Sequence, residues 1–361
     1  MAARAIEKSA KLKYPQVVFK HIDLAEYITY PFKKTVVSSY EIMVKRIPKL
    51  WGFCYEFLDS DKLVGKFNKL TKYLKSANAP RFYNEINEFQ PDSIVCTHFL
   101  AAELILNSPK KYKPKASVSV LITDYDLLAS NLIDGVSHFF VPTEKIKWKI
   151  INRKKQIAEN ITVSGIPIDP RFYEKKDKNE IRKKHGIALD KPLFLILSGG
   201  MGFGKIDRTI QNLLEIKFAF SLISIACNNP ALKKKIDDLK IPENIFFKSL
   251  DWTDEMPDFI KMADIVICKP GGLTTTECLV CQTPMITIDP IPGQEEANAH
   301  FILENQLGKI ATSDEEVKFY VEDYLKNKKI EYRPQELKGV AGEIILDKLI
   351  NFGSTSFYSA P

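Results

Sequence analysis

The 361-residue sequence has no run approaching the roughly 20 apolar residues of a membrane span, so no segment reads as a spanning helix. Its first residues, MAARAIEKSAKLK, carry no apolar stretch of the signal-peptide kind. Cysteine is sparse: of Cys54, Cys96, Cys227, Cys268, Cys278 and Cys281 only the last two are close, and no second pair completes a zinc site. They read as reduced core residues of a cytosolic protein, and no metal centre is expected. There is no repeat of 20–50 residues and no low-complexity segment beyond lysine-rich linkers, which excludes solenoids, collagen-like chains and disorder.

What is present is an ordinary globular composition with uneven charge. The chain carries 52 basic and 45 acidic side chains, a net charge of +7. Residues 1–160 hold 26 Lys and Arg against 16 Asp and Glu, which leaves 26 against 29 for the remainder, so the basic excess lies in the first half. No nucleic-acid motif accompanies it, and nucleic acid is not an expected partner. Short β-rich runs, SIVCTHF, SVSVLITDY, HFFVPT, PLFLILSGG, FSLISIAC, NIFFKSL, DIVICKPGG and PMITIDP, alternate with longer amphipathic stretches. Continuous apolar strands separated by helices predict parallel sheets covered on both faces, and the length asks for two such domains. The stretch NITVSGIPIDPRFYEKKDKNEIRKKHG reads as the linker, so the domains are expected over residues 1–165 and 166–335, followed by a C-terminal segment, 336–361.

Two turns of the second half carry chemistry. In KPLFLILSGGMGFGK a buried-type strand ends in Gly199 and Gly200, and a helix follows near Asp207; glycines there admit phosphate oxygens to backbone N–H groups, or serve only a tight turn. In DIVICKPGGLTTTECL a strand delivers Pro270-Gly271-Gly272 to a helix expected to begin around Thr274–Thr276. Gly271 and Gly272 can expose N–H groups, Thr274 and Thr275 add hydroxyls, and the helix N-terminus favours a diphosphate. Glu277 suits the vicinal hydroxyls of a ribose. The turn after the next strand, PIPGQEEANA, presents Gln294, Glu295 and Glu296 to sugar hydroxyls, or simply starts a solvated helix.

The motifs KPGGLTTTECL and PIPGQEEANA closely resemble the C-terminal domain of the processive diacylglycerol glucosyltransferases and monogalactosyldiacylglycerol synthases, and more distantly the GlcNAc transferase that makes lipid II. The resemblance runs over roughly residues 80–350 and is densest at 249–308. It implies the GT-B fold, an α/β architecture of two facing doubly wound parallel-sheet domains with the site in the cleft between them. It also implies an inverting, metal-independent transfer of a hexose from a UDP-sugar to a lipid acceptor. By resemblance, Gly199 and Gly200 lie in the cleft loop, and Trp252, Thr253 and Met256 flank the uracil. Gly271, Gly272 and Thr274 hold the diphosphate, Glu277 the ribose, and Gln294 and Glu295 the donor sugar. The first domain then takes the acceptor and faces the membrane, and the C-terminal segment includes a helix crossing back. The alternatives are a UDP-GlcNAc transferase acting on a polyprenyl-type lipid and a degenerate nucleotide-sugar or membrane-binding relative.

Two departures from the family pattern bear on the acceptor side. Family members open with a strand and a glycine-rich Gly-His loop, whereas this chain starts at Met1-Ala2-Ala3-Arg4-Ala5-Ile6, as if inside the helix that follows; the strand and loop are expected to be missing. Leu128 and Asn131 stand where a histidine and a tryptophan are expected. The candidates for the catalytic base are Asp124, at a strand end, and His98, in Thr97-His98-Phe99; a helix cap and a structural histidine are the plainer readings. His21, His138 and His185 sit in no motif, and His300 reads as a helix-surface residue. The region 27–57, with Tyr30, Phe32, Met43, Trp51 and Phe53 among Lys33, Lys34, Lys45, Arg46 and Lys49, suits an anionic membrane surface or a core edged by lysines. The expected location is the cytoplasmic face of a membrane, peripherally bound.

Overall fold

The computed structural model describes residues 1–31, 34, 79–154, 158–199, 206–226, 229–291, 293–333 and 339–355. Most of the aromatic and basic region 27–57, including Trp51, lies outside the described residues, as do Cys54, Cys227 and Gly200. The chain forms two compact units, residues 1–170 with 338–361 and residues 171–337.

The first unit holds four parallel strands in the order β1 (Ser93–Cys96), β2 (Ser117–Leu121), β3 (His138–Val141) and β4 (Ile161–Val163). The last of these, expected in the linker, pairs with β3 through Phe139 and Ile161; a three-residue strand is too short for periodicity to register. Phe82, Tyr83 and Ile86 from helix Pro80–Phe89, and Ile146 and Ile150 from helix Glu144–Lys154, join Val118, Val120 and Phe139 in one core. Helix Ala2–Lys13 buries Ala2, Ala5, Ile6, Ser9 and Ala10, the three-and-four spacing of one helix face. That face meets helix Ala341–Thr355, which returns to this unit. The approach is close: a Cβ on Gly342 would fall 2.3 Å from Ser9 Oγ. Tyr14 OH donates to Asp347 Oδ1 at 2.5 Å, and Lys13 pairs with Glu343 and Asp347 at 3.1 Å.

The second unit is a six-stranded parallel sheet in the order β10-β9-β8-β5-β6-β7. Its strands are β5 (Leu193–Leu197), β6 (Phe220–Ile225), β7 (Ile245–Leu250), β8 (Ile265–Cys268), β9 (Met285–Ile288) and β10 (Gly308–Ala311). Every residue of β5, β6, β8 and β9 is buried, as continuous apolar runs in a doubly covered sheet require. From β5 the chain builds outward through β6 to β7, then returns to add β8 on the other side of β5, so the strand order reverses between β5 and β8.

One side chain fastens that reversal. Asp264, immediately before β8, accepts at Oδ2 from the Leu193 N–H at the start of β5 (2.7 Å) and from Arg182 (2.8 Å), and at Oδ1 from Lys178 (2.7 Å). Its own N–H donates to the Leu193 carbonyl at 2.8 Å. Burial pushes the Asp264 carboxyl up, but Lys178, the Leu193 amide and Arg182 outweigh it and hold the group below the usual carboxylate range. Arg182 is 4% exposed, so removing its partner strands a buried cation. Asp264→Ala is therefore expected to destabilise the second unit by about 3–5 kcal/mol, read from urea unfolding; a loss under about 1 kcal/mol would show that the clamp is dispensable.

His138 titrates in the first unit with the opposite chemistry. Its ring is 1% exposed, its Nε2 lies 2.8 Å from Thr162 Oγ1, and burial, with Lys348 and Lys147, lowers its pKa to about 4. A folded pKa below the unfolded value near 6.5 means that the neutral ring contributes stability above pH 6.5, which is lost as pH falls toward 4. The full contribution is about 3 kcal/mol. Between pH 7 and pH 4 the wild type should lose about that much more stability than His138→Gln, and parallel pH profiles for the two proteins would contradict the assignment.

Candidate functional site

Parallel strands place their carboxyl ends along one edge, and ligands of open α/β sheets bind where strand order reverses at that edge. In the second unit that point is the pair β5 and β8. Their register, Phe194 with Ile265 through Ile196 with Ile267, brings Ser198-Gly199 after β5 alongside Lys269-Pro270-Gly271 after β8. A small cavity opens there, with Lys269 from the end of β8, Asp289 from beyond β9, and Ile206 and Thr209 from helix Ile206–Leu214 in its wall. Gly199 and the Gly271-Gly272 turn thus follow adjacent strands at one edge of the sheet.

Gly199 has φ +80°, a left-handed conformation that strains any residue with a Cβ. Gly271 is different. Its φ of −73° and ψ of 143° are open to any residue, and a Cβ there would meet nothing within 4 Å. The fold does not demand this glycine. The helix after it starts at Gly272, two residues before the span expected from sequence, because the Gly271 carbonyl already accepts from the Thr275 N–H at 2.9 Å. In consequence Glu277 occupies the second turn, half-buried, Thr274 is half-exposed, and Thr275 is fully buried. The Thr275 hydroxyl, expected beside Thr274 as a ligand donor, is therefore withdrawn into the interior.

Helix Gly272–Val280 has no side chain at its N-terminus to take up the first-turn N–H groups. Asp23, His98, Asp177, Asn229 and Ser313 provide such a cap for other helices. The helices Pro80–Phe89 and Met256–Met262, which also lack one, carry a proline in the first turn that removes a donor, whereas helix Ala2–Lys13 lacks both devices too. Helix Gly272–Val280 has neither device, and it begins three residues after Lys269, which lines the cavity. Lys269 and Asp289 were not singled out from sequence. The signal for Lys269 was its place directly before Pro270-Gly271-Gly272; Asp289 stands out only through its φ of +49°, a left-handed conformation that aspartate tolerates better than most residues.

The turn between β9 and helix Gln294–Glu304 is held by its own carboxylates. Glu295 Oε2 accepts from the Ile291 N–H at 2.7 Å and Glu296 Oε2 from the Gly293 N–H at 2.9 Å, so Glu296 serves the helix start. Gln294 opens that helix. At the far edge of the sheet, β7 ends before Trp252, which is 61% exposed. Thr253 Oγ1 accepts from the Glu255 N–H at 3.1 Å, and Met256 begins helix Met256–Met262, which packs beneath β5 and against helix Gly272–Val280. At strand spacing near 4.8 Å, two intervening strands separate the end of β7 from that of β8, so Trp252 and Gly271 lie on one edge without adjoining. Glu255 and Asp258, grouped with His185, already carry ammonium partners: Lys184 donates to Glu255 at 2.5 Å and Lys176 to Asp258 at 2.7 Å.

In the first unit, β1 and β2 are neighbours with Cys96 paired to Val120, so His98 and Asp124 follow adjacent strands at one carboxyl edge. His98 is the N-cap of helix Phe99–Leu106: its Nδ1 accepts from the Leu100 N–H at 3.2 Å and its ring stacks on Phe99. Desolvation holds its pKa below the ordinary histidine value. With the Nδ1 lone pair engaged, the proton of the neutral ring belongs on Nε2, which makes that atom a donor. Asp124 is half-buried in the turn after β2. Cys96, Cys268 and Cys278 are buried free thiols and Cys281 a half-buried one; burial pushes Cys96 and Cys281 up to about 12, which makes them inert core residues.

Residues 1–168 match the family of monogalactosyldiacylglycerol (MGDG) synthase, and residues 177–336 match the glycosyl transferases group 1. A processive diacylglycerol beta-glucosyltransferase of Bacillus pumilus is 27% identical over 296 residues, 80% of this chain and 76% of that one. Monogalactosyldiacylglycerol synthase 3, chloroplastic, of Arabidopsis thaliana is 28% identical over 353 residues, 92% of this chain and 72% of that one. The chain carries an MGDG-synthase domain followed by a group 1 glycosyl transferase domain, and it is a glycosyltransferase. Its fold is GT-B: the MurG of Acinetobacter baumannii superposes with a TM-score of 0.55 at 15% identity, covering 77% of this chain and 79% of that one. The S. aureus MnaA–UDP structure gives 0.55 at 14% identity, covering 80% and 81%.

For this glycosyltransferase the assignment of His98 has a direct test. His98→Ala should cost about 0.5–2 kcal/mol of first-unit stability, and His98→Asn, a good N-cap, should recover most of it. Equal losses in urea unfolding for the two variants would mean that the ring does not cap the helix.

Proposed function

We propose that this glycosyltransferase moves a hexose from a UDP-sugar to a membrane lipid, diacylglycerol or a glycolipid, with inversion at the anomeric carbon. The observation that carries the reading is the glycine turn after β8: Lys269 lines the cavity at the β5–β8 reversal, and the helix that begins three residues later, at Gly272, has no side-chain cap. The names of relatives that align over most of the chain support the lipid acceptor. Gly271, Gly272 and Thr274 hold the diphosphate, Glu277 accepts hydrogen bonds from the ribose, and Trp252, Thr253 and Met256 lie along the uracil. Gln294 and Glu295 reach the sugar from a turn that the Glu295 and Glu296 carboxylates keep in shape.

As the bond between the anomeric carbon and the diphosphate oxygen breaks, negative charge grows on UDP. The N–H groups and dipole of helix Gly272–Val280, with the Lys269 ammonium, stabilise that charge, and the scheme needs no metal. The acceptor hydroxyl attacks the opposite face of the sugar and gives its proton to Asp124. His98, committed through Nδ1, offers Nε2–H as a hydrogen-bond donor on the acceptor side and is not the base. Among the described residues no helix is long and apolar enough to cross a membrane. The reading includes peripheral attachment at the cytoplasmic face, with the basic first unit toward anionic lipid.

Two measurements test these roles. Because the fold leaves space beside Gly271, Gly271→Ala should keep its urea midpoint yet weaken UDP at least about tenfold by calorimetry, since the methyl occupies the path of the diphosphate. Glu277→Ala should weaken UDP by about 1–3 kcal/mol. Unchanged UDP affinity in both variants would remove the β8 turn from the donor site. In steady-state lipid glycosylation, Asp124→Asn should lower kcat by about 10²–10⁴-fold and His98→Asn by much less; the reverse order would transfer the base role to His98.

A further inference from the structure

Helix Glu144–Lys154 presents a face that the core does not use. Ile146 and Ile150 point into the first unit and are 1% and 0% exposed. On the opposite side Lys145, Trp148 and Asn152 recur at positions i, i+3 and i+7, and all three are exposed, Trp148 by 65%. Helix Glu144–Lys154 carries Lys145, Lys147, Lys149, Arg153 and Lys154 against a single acidic residue, Glu144, in its first turn. Asp126, on a neighbouring turn, pairs with Lys149. Tryptophan is seldom left this open in a folded domain, and nothing in the folding of this unit calls for it at this position.

We infer that the outer face of helix Glu144–Lys154 is a membrane-contact surface, with Trp148 entering the headgroup boundary of an anionic bilayer and the surrounding lysines and arginine held over its phosphates. The chemistry of the face is that of an interfacial anchor. An indole has an apolar body and one N–H donor, which suits the boundary between acyl chains and headgroups. Basic side chains around it draw anionic lipid, and the attraction falls off within a Debye length of about 8 Å at physiological salt. A single strand of nucleic acid would share the charge and stack on the indole, but the chain carries no recognised nucleic-acid motif, whereas the lipid acceptor calls for a bilayer contact. The inference rests on the lipid-acceptor reading for its choice of partner. It locates a contact on a regular helix after β3.

The full chain is mixed with sedimentable vesicles of phosphatidylcholine alone or with added phosphatidylglycerol, at low and physiological salt. The wild type should bind the anionic vesicles and lose binding as salt rises. Lys145→Gln/Lys147→Gln/Arg153→Gln together should reduce partitioning roughly 100-fold at low salt, at about 1 kcal/mol per basic residue. Trp148→Ala should reduce it about tenfold at every salt concentration, because insertion of an apolar ring is not screened. In a Trp51→Phe/Trp252→Phe background, brominated lipid should quench Trp148 fluorescence, which tests the contact without altering the helix. Variants that partition like the wild type, together with unquenched Trp148, would overturn the inference; so would a loss confined to Trp51→Ala. UDP calorimetry on the same proteins keeps the two readings apart, since failure to bind UDP would defeat the donor site and leave the vesicle result standing.

Discussion

The structure of the second unit depends on the clamp that Asp264 makes between the starts of β5 and β8. These strands are adjacent in the sheet but separated by two further strands and their helices in the chain, so no local turn sets their register. A backbone pair and a carboxylate do so instead, with Leu193 bonded to Asp264 through both its N–H and its carbonyl. Four residues on, at the carboxyl ends, the two chains leave in different directions and open the cavity. A one-residue slip in this pair would move Gly199 past Lys269 and turn the inward side chains of β8 to the other face.

That arrangement explains why a polar, charge-bearing network is buried here at all. Lys178, Arg182 and Asp264 lie at the amino edge, opposite the cavity, and a hydrophobic replacement of similar shape could match their stability. What an apolar cluster lacks is direction. Three donors converging on one carboxylate accept a single alignment of helix Lys178–Lys184, β5 and β8, which suits a unit whose working residues sit on turns at the far ends of the same strands.

The two carboxyl edges differ in how their polar groups are committed. In the first unit His98 spends one ring nitrogen on a helix start, which fixes the tautomer of its neutral ring. In the second, helix Gly272–Val280 has no cap, and the Glu295 and Glu296 carboxylates stabilise the next turn. One helix start is thus left without a side-chain cap while the turn next to it is braced by its own side chains.

The sequence by itself determined eight of the ten described strands, their parallel arrangement and the position of the glycine turns, because continuous apolar runs and Gly-Gly steps are local signals, whereas the short strands Ile161–Val163 and Gly308–Ala311 carry no such run. The KPGGLTTTECL and PIPGQEEANA segments were legible for the same reason. Tertiary structure alone decided matters that depend on distant partners. It made Ile161–Val163 a fourth strand through pairing with β3, carried helix Ala341–Thr355 back against Ala2–Lys13 through the Gly342–Ser9 approach, and buried Thr275 by starting its helix two residues early. It also made His98 a helix cap and separated Gly271 from Gly199 in what the fold requires of each. Pattern in a chain reports which side of an element is apolar; which hydrogen bond a polar group finds is settled only when residues far apart in sequence come together.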